Sequence, residues 1–419
     1  MHQAAVESSP TVQRMPPPRL SALHIPALDG LRGLAILGVL LFKASEGLAP
    51  ATWGGRIVGQ VSGCGWAGVD LFFVLSGFLI SGILLDTKGS PHFFRNFYAR
   101  RTLRVFPLYY GVLLVSVLLL PRLLAMDDPG VARIVRNQAW LWTYTTNIAF
   151  LIKRQVFFDA GWLRFNHFWS LAIEEQFYLV WPLLIYLLTR RRLAIACWAM
   201  VGGALALRMA LYFAHQRPGA MFYPTPCRTD SLAMGALLAI AIRRPDGLPI
   251  CQGLARRAAL ASGLALLAVW AWRGKLDVND ITTLTFGFTL LAVFAASILA
   301  LALDPSPTNR WAKLLERRPL RLLGKYSYAM YVLHMLVIWA MDRRVTIDWF
   351  IRKAHSEALG MVLHAAAFCA ATMVAGFVSW HLYEKHFLRL KRFFPDRATF
   401  PSPLFAPGGP RPSPQAISV

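Results

Sequence analysis

Ten apolar runs, separated by short polar or basic segments, constrain this chain more than any other feature. They cover 28–44, 66–86, 105–124, 167–189, 193–213, 229–242, 258–272, 282–303, 325–341 and 358–383. A helix of about 20 apolar residues crosses a bilayer, and the shorter runs reach that length by borrowing from their flanks. In lipid every backbone N–H and C=O must be satisfied internally. The runs therefore predict an all-α, polytopic transmembrane helical bundle of about ten spans. Composition agrees: 56% of the 419 residues are hydrophobic and 16% are charged, against about 25% charged in soluble domains. A disordered chain and an ordinary soluble enzyme are both excluded.

The net charge of +23 would suggest nucleic acid in a soluble domain. Here the basic residues sit between apolar runs, so the expected partner is the lipid bilayer, with no nucleic acid. With both termini in the cytoplasm, inside segments hold 26 Lys and Arg and outside segments 16, the sense of the positive-inside rule. No cleavable leader is read ahead of the first run, which is expected to remain a span. Residues 24–394 read as one membrane domain, flanked by disordered tails over 1–23 and 395–419. Segment 138–152 is apolar but carries Thr143, Tyr144, Thr145, Thr146 and Asn147. It is expected outside, as an interfacial or re-entrant piece. Five scattered cysteines without a CxxC pair predict no zinc or redox site, and a Cys64–Cys227 disulfide is left open.

Ionisable residues inside spans are costly and mark function by default. The first run carries Asp29, Arg32 and Lys43. Arg32 and Lys43 share a helix face about 16 Å apart. The bland alternative is that the ends lie at the two interfaces, with Lys43 snorkelling. Asp70 near the start of the second run suits a helix cap as well as a site. In FYARRTLRVFP, Arg101 and Arg104 face the same way and suit a phosphate-bearing ligand. Lipid headgroups would also explain them. In NHFWSLAIEEQFYLVWP, His167, Ser170, Glu174 and Tyr178 form one stripe, with Glu175 about 100° round the helix. Two carboxylates and a histidine there suit acid–base work. The alternative is that both carboxylates are paired with arginines. Arg228 and Asp230 open a later span. Ser327, Tyr331 and His334 share a face, and His334 reads equally as a packing residue. His381, Glu384 and His386 read as an interfacial cluster.

The order and wording of these segments carry more than any one of them. LDGLRGLAILGVLLF, GVDLFFVLSGFLI, FYARRTLRVFPLYY, HFWSLAIEEQFYLVWP, RTDSLAMGALLA, YSYAMYVLHMLV and YEKHFLRL resemble the acyltransferase family 3 proteins, over roughly residues 25–392. The resemblance implies transfer of an acyl group, often acetyl, from acyl-CoA to a hydroxyl of a cell-envelope saccharide or glycoconjugate, in the bacterial inner membrane. It implies no tightly bound cofactor and no metal. The family's Arg-x-x-Arg maps to Arg101 and Arg104, its tandem Glu to Glu174 and Glu175, and its Arg-x-Asp to Arg228 and Asp230. Arg32 matches the arginine of the first span. Eleven residues later the family has His, and this chain has Lys43.

That departure matters because O-acylation needs a base for the hydroxyl proton, and imidazole is suited to the task. A hydrated Lys is protonated, whereas a desolvated one can serve. Three readings follow. In the first, an active enzyme uses Lys43, His167 or His334 as base, with Arg32, Arg101 and Arg104 holding the donor. In the second, a silent relative binds acyl-CoA or a lipid-linked sugar. The third is a transporter, and it lacks the repeated halves of such folds.

Overall fold

The structure, a computed structural model, describes residues 25–123, 128–304, 306 and 308–395. Both expected tails lie outside the described residues, apart from Pro395. The long helices are α1 (Pro26–Ser45), α2 (Gly68–Thr87), α3 (Phe93–Leu113), α4 (Phe168–Leu187), α5 (Arg190–Phe213), α6 (Thr229–Ala241), α7 (Gly247–Arg273), α8 (Phe288–Ala302), α9 (Arg318–Asp342) and α10 (Glu357–Ser379). Each falls on one of the expected apolar runs. Among the described residues, six helical stretches are long and apolar enough to cross a membrane: Trp53–Thr87, Phe93–Leu123, Arg190–Phe213, Gly247–Arg273, Thr283–Ala302 and Glu357–Phe393.

The other long helices, α1, α4, α6 and α9, are less apolar or shorter for a physical reason. They supply the interior. Nine of the 13 residues of α6 are buried, against three of the 27 in α7. A helix surrounded by protein need not be apolar all round, so polar groups collect there. The contacts are close. α1 packs along α9, and a Cβ at Gly324 would collide with the Asp29 carbonyl. α2 packs along α6, where a Cβ at Gly235 would meet the Val74 carbonyl. Small residues that let backbones approach are the usual glue between membrane helices. Gly235→Val is therefore expected to destabilise the bundle by at least the ~1–3 kcal/mol of an overpacked core. An unchanged thermal midpoint for the detergent-purified variant would contradict this packing.

Three helices start earlier than hydropathy predicts, at 93 rather than 105, 247 rather than 258, and 318 rather than 325. The α3 lead-in shows why. Phe93, Asn96 and Phe97 are buried at helical spacing, while the intervening arginines lower the mean hydropathy. The 138–152 segment forms two short helices, Ala139–Trp142 and Thr146–Lys153. They are broken at Tyr144, whose φ is 53°. The Tyr109 and Tyr110 hydroxyls donate to the Leu141 and Trp142 carbonyls at 2.7 and 3.0 Å. A two-residue hairpin follows, β1 (Asp159–Ala160) against β2 (Leu163–Arg164), antiparallel. All five cysteines are free, which corrects the open disulfide. Cys227 is fully buried, with its Sγ toward the Ala220 carbonyl at 3.9 Å.

Candidate active site

A first cavity has a volume of about 300 Å³ and is walled by α1, α2, α3, α4 and α9. Five cations line it (Arg32, Arg100, Arg101, Arg104 and Lys391) with two carboxylates, Glu174 and Glu175. Arginine binds diphosphate in a bidentate fashion, so this lining suits such a polyanion, although Arg32 and Arg104 also have the carboxylate neighbours Asp29 and Glu384. Of the four stripe residues read from α4, Ser170, Glu174 and Tyr178 face this space and His167 does not.

Arg101 organises the centre. Its guanidinium lies 3.8 Å from Glu174 and 3.6 Å from Glu175. It also stacks 3.8 Å from the Tyr178 ring centroid, a cation–π arrangement. The Tyr178 and Ser76 hydroxyls meet across α4 and α2. Arg32 pairs with Asp29 one turn back at 3.4 Å. Arg104 lies one turn beyond Arg101 and feels the Glu384 carboxylate. Glu384 is buried and accepts the Ser379 hydroxyl at 3.0 Å. A π turn over Trp380–Glu384 rotates it inward.

The second cavity, about 220 Å³, is lined by Lys43, Glu46, Arg164, Asp342 and His364, with Met335 and Ile338 among its apolar walls. α1 and α9 line both spaces, one toward each end. Arg32 faces the first and Lys43 the second, as expected for positions about 16 Å apart. Lys43 Nζ is 2.7 Å from the Glu46 carboxylate.

His167 and His334 line neither cavity. They lie between, with ring centroids 4.6 Å apart. The Ser170 and Tyr331 hydroxyls, 2.5 Å apart, close the first cavity on that side. Tyr331 also reaches the His167 carbonyl at 3.1 Å. His334 Nδ1 is 2.6 Å from the Tyr331 carbonyl, so it carries the proton. Nε2 is then an acceptor without a hydrogen-bond partner among the described residues.

Asp70, Arg228 and Asp230 line neither cavity, and the sequence neighbours Arg228 and Asp230 serve different ion pairs. Arg228 donates to Asp70 at 2.8 Å, and Ser231 donates to the same oxygen at 2.9 Å. Arg228 also stacks on Phe288 at 3.5 Å. Asp230 accepts Arg208 at 2.8 Å and Thr289 at 2.9 Å. Both pairs are at most 1% exposed. They tie α2, α5, α6 and α8 together behind the cavities.

The sequence reading missed His364, a lone histidine in an alanine-rich run. It also missed Tyr328, which lines the first cavity and donates to the Val105 carbonyl at 2.6 Å. The available signal for His364 was its basic ring in the middle of an apolar span.

Comparison with known proteins matches these positions to a family. The acyltransferase domain profile of that family covers residues 25–381. YrhL of Bacillus subtilis (strain 168), whose peptidoglycan O-acetyltransferase name is provisional, is 30% identical over 327 residues, 75% of this chain and 49% of the relative. The peptidoglycan O-acetyltransferase OatA of Listeria monocytogenes is 28% identical over 331 residues, 76% of this chain and 50% of the relative. The chain thus spans about half the length of the curated relatives it matches. No solved structure matches. With the profile covering most of its length, the chain belongs to the acyltransferase family 3 of membrane proteins.

Proposed function

We propose that the chain is a membrane O-acyltransferase that moves acetyl from acetyl-CoA to a hydroxyl of a cell-envelope saccharide. The observation that carries this reading is the first cavity, where five cations surround a tandem carboxylate. Arg101 and Arg104 would hold the phosphates of CoA, with Arg32 along the route of the acyl arm. The acceptor hydroxyl attacks the thioester carbonyl, its proton passes to a base, and the carbon–sulfur bond breaks to release CoA. The relatives named for peptidoglycan O-acetylation favour an envelope polymer as acceptor. The ten long helices then cross the bilayer, with both termini on the cytoplasmic side of the bacterial inner membrane and Arg101 facing the cytoplasmic donor pool.

The Lys43–Glu46 ion pair favours one alternative, a silent relative that binds donor or a lipid-linked sugar. The pair gives Lys43 a fixed partner at the position where the family has a histidine. The two readings separate in a bacterial host lacking its own envelope O-acetylation. Expression of the chain is expected to add acetate to the envelope saccharides that mild alkali releases. No rise above the empty vector, with the protein present in the membrane, would overturn the enzymatic reading.

A further inference from the structure

We propose that the second cavity receives the acceptor hydroxyl and that His364 is the catalytic base that takes its proton. This rests on the acyltransferase reading above. Of the described histidines, only His364 lines either cavity. Its side chain projects from α10 and is 2% exposed. Neither ring nitrogen makes a hydrogen bond of ordinary geometry among the described residues. A buried imidazole without partners is costly, and both nitrogens are themselves buried, so one reaches the cavity only by a turn of the ring. The ring approaches the backbone of Ala44, next to Lys43, and packs on Phe350 at 5.6 Å.

The cavity fits a saccharide hydroxyl rather than a second anion. Its cations, Lys43 and Arg164, are matched by Glu46 and Asp342. Arg164 lies 4.0 Å from Asp342, and Lys43 is held by Glu46. What remains is a neutral pocket with fixed donors and acceptors, apolar walls and one imidazole. His167 and His334 lie in the layer between the two cavities, which the acyl arm of a donor held in the first must cross to reach a hydroxyl in the second. In the step itself the hydroxyl oxygen bonds to the thioester carbon and the hydroxyl proton moves to His364. The tetrahedral centre then collapses, and the sulfur leaves with the proton returned by solvent or by the imidazolium.

The test uses the full chain in the host described above, together with acetyl-CoA binding to the purified protein. His364→Gln keeps the size and polarity of the side chain but cannot act as a base. It is expected to lower alkali-labile envelope acetate at least a hundredfold, within the range of a lost general base, while acetyl-CoA affinity stays within twofold of wild type. Transfer within twofold of wild type would overturn the inference and leave the acyltransferase reading standing. No transfer by the wild type would overturn both. If His364→Gln fails to accumulate, the pair Lys43→His/His364→Ala moves the imidazole to the opposite wall. Transfer regained to within tenfold of wild type supports the inference, and none regained overturns it.

Discussion

Replacing Arg208 by alanine is expected to unfold or strongly destabilise the protein, although this residue touches neither cavity. Its guanidinium is fully buried between α5, α6 and α8. It donates to the Asp230 carboxylate at 2.8 Å, to the Thr285 carbonyl at 3.1 Å and to the Thr289 hydroxyl at 2.6 Å. It also donates to the Cys227 carbonyl. Removing it leaves a carboxylate and two carbonyls in a dry interior. Breaking one partner of a buried pair costs about 3–5 kcal/mol. Such a loss consumes much of the stability of a typical domain. Arg208→Ala should therefore aggregate on detergent extraction or show a much lower thermal midpoint. Arg208→Ala with Asp230→Ala should recover part of the loss, because no lone charge remains. Wild-type stability in the single variant would contradict this account of the pair.

Arg101→Ala is expected to have the largest effect on donor binding. The guanidinium sits against Glu174, Glu175 and the Tyr178 ring at once. Its removal deletes a phosphate donor and leaves two adjacent carboxylates facing the incoming diphosphate. A charged hydrogen bond is worth about 1.5–3 kcal/mol, so acetyl-CoA should bind roughly ten- to a hundredfold more weakly. Arg101→Lys is expected to rescue little, since the lysine ammonium lacks the planar fork that spans two carboxylates and stacks on Tyr178. Equilibrium binding of acetyl-CoA to the purified variants measures this. An unchanged affinity in Arg101→Ala would remove the first cavity from consideration as the CoA site.

Much of the fold was legible because lipid imposes long apolar runs. Each run found its helix, from α1 to α10. What hydropathy could not reveal was where basic lead-ins continue a helix, as in α3, because charge masks a buried face such as that of Phe93 and Phe97. The functional stripe on α4 was also legible, since Glu174 and Tyr178 lie one turn apart and must share a face. Tertiary partners were not. Asp70 and Arg228 are 158 residues apart in sequence, and nothing local announces their pairing. Read alone, Asp70 suited a helix cap as well as a site, and Arg228 only opened a later span. Together they are an internal brace. His364 gave only a weak local signal, a basic ring inside an apolar run. Its meaning comes from the space between α1, α9 and α10, which no single segment encodes. The Lys43 departure was legible, and the structure gives it context: a lysine paired with Glu46 in a cavity that His364 also lines.

The most direct test of the central claim is transfer of labelled acetyl from acetyl-CoA by the full chain reconstituted in nanodiscs, supplied with envelope saccharide strands. The account predicts alkali-labile label on the saccharide and stoichiometric release of CoA, both lost in Arg101→Ala. Tight binding of acetyl-CoA without either product, in the wild type, would contradict it and leave a donor-binding protein in its place.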